Sequence, residues 1–80
     1  RAAELGYPPS QMQLGRVYLT GEGVNQDLLR AYIWSSIAVS NDAKRSSGLR
    51  DMVATFMTPS QIAEAQKLAR ECVAKNYKGC

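Results

Sequence analysis

The stretch Leu14-Gly15-Arg16-Val17-Tyr18-Leu19-Thr20-Gly21-Glu22-Gly23-Val24-Asn25-Gln26-Asp27-Leu28-Leu29-Arg30-Ala31-Tyr32-Ile33-Trp34-Ser35-Ser36-Ile37-Ala38 decides the fold. Leu14, Tyr18 and Leu19 recur at helical spacing in its first part, and Ala31, Trp34 and Ala38 do so in its last. Apolar positions three and four apart argue for helices, where strict alternation would argue for strands. Two antiparallel helices joined by a structured loop follow. Gly15 costs roughly 1 kcal/mol against Ala in a helix interior, so it predicts close approach of the facing helix. Gly21 and Gly23 predict backbone angles that side-chained residues avoid. Val24 is expected to tuck under the loop, and Asp27 to cap the helix that starts at Leu28.

Outward from this unit, the first helix starts at Pro9 or Ser10 and runs to about Leu19, after Gly6 and Pro8-Pro9 have stopped any earlier one. Met12, Leu14, Val17, Tyr18 and Leu19 are more apolar than one stripe needs, which predicts neighbours on two sides. The second helix covers about Leu28 to Val39, with Ala31, Trp34, Ser35 and Ala38 on one face and Leu29, Ile33 and Ile37 beside it. A third is expected from Ala43 to Phe56, with Leu49, Met52, Val53 and Phe56 forming a single buried stripe. Thr58-Pro59-Ser60-Gln61 reads as a capping box with proline at the first helical position. It opens a fourth helix to about Lys75, with Ile62, Ala65, Leu68 or Ala69, Cys72 and Val73 inward.

Composition narrows the function. The chain has 80 residues, 45% of them apolar, and a net charge of +3. A domain this small buries only about 60% of its unfolded surface and gains from a covalent staple. No apolar run approaches the roughly 18 residues that cross a bilayer. The absence of histidine removes Ser-His-Asp and Cys-His catalysis and most zinc sites. Asp27, Glu22 and Glu64 are the remaining acid/base candidates, but no spacing forces two of them together. A Gly-rich loop before a helix can hold phosphate, yet no strand precedes this one and no Gly-Lys-Ser/Thr follows. Neither an enzyme nor a cofactor is expected. Lys44, Arg45 and Arg50 form one basic group, and Lys67, Arg70, Lys75 and Lys78 another. They are sparse for nucleic acid, which is not an expected partner, though a basic module for nucleic acid or an anionic membrane is the runner-up.

A shift of 36 places Ala2-Ala3 over Ala38-Val39, a period belonging to helical-pair repeats. The run Ala2-Ala3-Glu4-Leu5-Gly6, Leu14-Gly15-Arg16-Val17-Tyr18, Gly21-Glu22-Gly23-Val24-Asn25-Gln26-Asp27, Ala31-Tyr32-Ile33-Trp34 and Ala38 resembles the Sel1-like repeat, a relative of tetratricopeptide repeats. The resemblance implies an all-α fold of about four helices in a short solenoid. It divides the chain into the end of a preceding helix (1–7), one repeat (8–40) and a capping pair with a Cys-ending tail (41–80). Arg50-Asp51 replaces the Leu-Gly of a next repeat, so helices three and four depart from the pattern. Such proteins are non-catalytic scaffolds that bind a protein or peptide partner. Carried over, Met12, Arg16, Leu19 and Thr20 would line the binding surface. Leu14, Gly15, Tyr18, Gly21, Gly23, Ala31, Trp34 and Ala38 would hold the repeat together. Self-association through the edge of the partial first helix is a further expectation, and a regulatory or structural cap of a larger enzyme is an alternative.

Cys72 and Cys80 are too far apart for a redox CxxC pair and too few for a metal cluster. Three states remain: a disulfide, a buried thiol with a free tail thiol, or a reactive pair. A disulfide would point to a periplasmic or secreted protein, and reduced thiols to a cytoplasmic one. No signal peptide is visible, but the chain opens on Arg1 rather than Met, so localisation is not read from its start.

Overall fold

A computed structural model describes residues 6–42, 48–78 and 80. Its helices are α1 (Pro8–Thr20), α2 (Leu28–Asn41), α3 (Gly48–Ala54) and α4 (Pro59–Ala74), and no strand occurs among the described residues. The protein is all-α. The expected helix end at residues 1–5, and the first part of the expected third helix, lie outside the described residues.

Helix α2 is the centre, touching α1, α3 and α4. Of its expected faces, Ala31, Trp34, Ser35 and Ala38 are buried on one, and on the other Ile33 and Ile37 are buried and Leu29 half-buried. Asp27 caps it, its carboxylate accepting the Arg30 N–H at 3.1 Å. Gly15 is buried in the α1–α2 seam, with the Ala31 carbonyl and Ser35 nitrogen each 3.2 Å from where its Cβ would stand. The Ser35 hydroxyl donates back to the Ala31 carbonyl at 2.7 Å, so the polar side chain costs the core no unpaired group.

The α1–α2 loop is built differently from the expectation for Val24, which is 43% exposed. Gly21 takes φ +77° and its N–H closes on the Val17 carbonyl, ending α1 in a left-handed cap. Gly23 has positive φ as well. The loop is then held by polar groups: Gln26 Nε2 donates to the Leu19 carbonyl at 2.8 Å and Asp27 N–H to the Tyr18 carbonyl at 2.9 Å. Two carbonyls in the last turn of α1 thereby find partners, and no apolar plug is needed.

Helix α3 does not bury its expected stripe. Val53 is fully buried and Leu49 half-buried, whereas Met52 and Phe56 are 52% and 62% exposed. Two causes act together. Leu49 and Val53, four apart, form the seam toward the core, and Met52 is turned away from it. The helix stops at Ala54, and the Phe56 N–H bonds back to Val53 in a tighter turn that carries Phe56 off the stripe.

Helix α4 opens on the expected capping box: the Gln61 N–H donates to Thr58 Oγ1 at 3.1 Å, and the Thr58 N–H to Gln61 Oε1 at 2.9 Å. Ala65, Ala69 and Cys72 are buried, while Val73, expected inward, is 45% exposed. Small residues four apart let α4 lie close against α2. The tail then turns back. The Tyr77 N–H donates to the Cys72 carbonyl at 2.8 Å and Asn76 takes φ +56°, a Schellman stop with asparagine in the usual glycine place. Cys72 and Cys80 are joined in a disulfide.

Candidate functional site

Of the four residues expected on the binding surface, the structure leaves three accessible. Met12 is 8% exposed and belongs to the interior, a correction to its expected place. It lies three residues before Gly15 on the buried side of α1, which meets both α2 and α3. Arg16 is exposed one turn before Leu19. Thr20 is exposed too, but its hydroxyl is occupied, donating to the Arg16 carbonyl at 3.1 Å and to Glu22 at 3.4 Å.

Leu19 is half-buried and forms one wall of an open apolar groove with Gln26, Leu28, Met52 and Phe56, of about 590 Å³. Three elements build it: the end of α1, the start of α2 and the outward side of α3 with the turn after it. Asp27 caps α2 and so fixes where Leu28 begins, and the Gln26–Leu19 hydrogen bond sets the loop beside it. The sequence reading missed Leu28, Met52 and Phe56 as surface residues. One signal was available, since Met57-Thr58-Pro59 forces a new helix start immediately after Phe56.

The residues expected to hold the helix pair divide between core and loop. Gly15, Ala31, Trp34 and Ala38 are buried, Leu14 and Tyr18 half-buried, and Gly21 and Gly23 shape the loop. The Arg30 guanidinium stands 5.8 Å from the Tyr18 ring centre and 3.8 Å from the Asp27 carboxylate. Trp34 is 2% exposed and its Nε1–H has no acceptor among the described residues.

The acid/base candidates are spread over other tasks: Asp27 caps, Glu22 accepts from Thr20, and Glu64 stands exposed on α4. Lys67, Arg70, Lys75 and Lys78 are exposed. Arg50 reaches Asp51 at 3.6 Å, and Lys44 and Arg45 lie outside the described residues. No helix among the described residues is long and apolar enough to cross a membrane.

A second, smaller cavity of about 260 Å³ opens between α2, α4 and the tail, lined by Arg30, Ile33, Leu68, Lys75 and Cys80 among others. No protein-family model, curated protein or solved structure matches the chain.

Proposed function

We propose that the protein is a non-catalytic adaptor, the C-terminal part of a Sel1-like repeat protein, and that its groove takes a peptide segment of a partner. The observation that carries this reading is the exposure of Met52 and Phe56 beside Leu19 and Leu28. Large apolar side chains brought together on a surface from separate elements mark interaction sites more often than scattered ones do. Helix-in-groove recognition uses apolar anchors three and four residues apart. The partner's chemistry follows from charge: Arg16 is exposed on α1 one turn before the groove residue Leu19 and the chain carries +3, so the peptide pairs apolar anchors with an acidic residue. Helices α3 and α4 act as the closing pair that ends a helical stack.

The Cys72–Cys80 bond supports maturation in an oxidising compartment, the periplasm or outside the cell. Peptide-display selection tests the function. The oxidised protein is the bait, and a Met52→Glu/Phe56→Glu variant serves for counter-selection. Enriched peptides that carry apolar anchors with acidic neighbours, and that fail on the variant, support the adaptor. Enrichment of basic or anchor-free peptides, or equal retention by both proteins, counts against it.

A further inference from the structure

The geometry points to the Cys72–Cys80 bond as a thiol-addressable clasp, attacked at Cys80, whose opening releases Tyr77 from the α1–α2 seam. This goes beyond the groove and does not depend on it.

The two sulfurs are unequally placed. Cys72 is 1% exposed, in the core cluster and in the last turn of α4. Cys80 is partly exposed and lines the open cavity with Arg30, Lys75 and Glu71. A nucleophile therefore reaches Cys80 and not Cys72. Arg30 and Lys75 offset Glu71 and Asp27 around the cavity, so no net negative field repels an incoming thiolate.

The bond closes over the turn that ends α4. Asn76 and Tyr77 have φ of +56° and +66°, a left-handed pair without glycine. Such a conformation persists only where surrounding structure enforces it. Here the Schellman hydrogen bonds from the Asn76 and Tyr77 N–H groups to the Val73 and Cys72 carbonyls hold the turn itself, and the disulfide and the Tyr77 side chain fix it against the rest of the fold. Asn41 Nδ2 lies 3.1 Å from Tyr77 Oη and donates to Gln11 Oε1, also at 3.1 Å. The Tyr77 ring comes within 3.4 Å of where a Gly6 Cβ would stand. Gln11 is completely buried. The tail thus ties the start of α1 to the end of α2, across a polar group that becomes wet when Tyr77 leaves.

The chemistry balances with a dithiol reductant. Its thiolate attacks Cys80 Sγ, the Cys72–Cys80 bond breaks, and Cys72 leaves as a thiolate that takes a proton from water. The reductant's second thiol then resolves the mixed disulfide, freeing Cys80 and oxidising the reductant to its own disulfide. Two electrons pass to the cysteine pair.

Protein purified without reductant is treated first with glutathione, to trap the mixed disulfide for peptide mapping, and then with dithiothreitol for native hydrogen exchange. The expected adduct is on Cys80. Full reduction is expected to speed exchange at least tenfold at Gln11 and Asp42 while the centre of α2, Ala31–Ile37, stays protected. An oxidised Tyr77→Phe variant should show faster exchange at the same two places with the bond intact. An adduct on Cys72, acceleration confined to residues 72–80, or uniform acceleration through all four helices would overturn the proposal.

Discussion

Gly15 on α1 faces the Ala31 carbonyl of α2 across a gap that would leave an added Cβ only 3.2 Å from the oxygen. Ser35 nitrogen lies at the same distance, so backbone bounds the space on both counts. Helix–helix contact at this point is backbone to backbone, and it sets how closely the most extensively packed helix pair of the chain can approach. Gly15→Ala gains about 1 kcal/mol of helix propensity and meets an overpacking cost of about 1–3 kcal/mol. The net expectation is a loss near 1 kcal/mol, larger for Gly15→Val, read as a lower urea midpoint at unchanged slope. A stabilised alanine variant would show that α2 can shift freely.

Trp34 is buried with its Nε1–H unpaired among the described residues, a combination that costs about 1–3 kcal/mol. Its ring nevertheless fills the centre of the core. Trp34→Ala should therefore cost about 3–5 kcal/mol and leave little folded protein. Trp34→Phe removes the orphan donor together with some area, and is expected to lose only about 1–2 kcal/mol. Thermal unfolding of the three proteins separates these cases, and equal losses in both variants would contradict the packing described.

Thr58 and Gln61 satisfy one another's backbone N–H groups at the start of α4. Thr58→Ala should cost about 1 kcal/mol. Gln61→Ala should cost less, and the double variant less than the sum of the two, because each side chain serves the same cap. Strict additivity in urea melts would mean that the box is not a unit in solution.

These local devices were legible from sequence because each is complete within four residues. Asp27 before Leu28 and Thr58-Pro59-Ser60-Gln61 name their own hydrogen bonds, and the expected caps at Asp27 and Thr58 are present, as are the positive φ angles expected of Gly21 and Gly23. The central place of α2 was legible from its two apolar faces. What failed was the step from sharing a helix face to being covered. Leu49, Met52, Val53 and Phe56 keep helical spacing, yet nothing in that spacing states that the helix ends at Ala54 or that only Leu49 and Val53 meet the core. Met12 failed in the opposite sense, placed on a surface by resemblance and found inside because α1 has neighbours on two sides. Val24 lost its expected place to Gln26, a long polar residue that reaches the Leu19 carbonyl. Asn76 could have been read as a helix stop, since asparagine tolerates left-handed angles; the left-handed Tyr77 after it has no such signal.

Arg16 is exposed, and the proposed adaptor function gives it an electrostatic rather than a structural role. Arg16→Gln is accordingly expected to leave the urea midpoint unchanged within about 0.5 kcal/mol. Affinity for a selected acidic-apolar peptide should fall about threefold to tenfold, mostly through a slower association rate that salt reduces in the native protein. An affinity unchanged by the substitution and by salt would detach Arg16 from the groove.

The central claim is that the groove formed by Leu19, Leu28, Met52 and Phe56 is the surface the protein uses. The most direct measurement is a titration of isotope-labelled, oxidised protein with a display-selected peptide, followed through amide and side-chain methyl chemical shifts. The account predicts saturable shifts centred on Leu19, Leu28 and Met52, with the Phe56 amide moving and Ser36, Ser40 and Arg70 on the α2–α4 side still. Shifts centred on that α2–α4 side, with the groove signals unmoved, would contradict it.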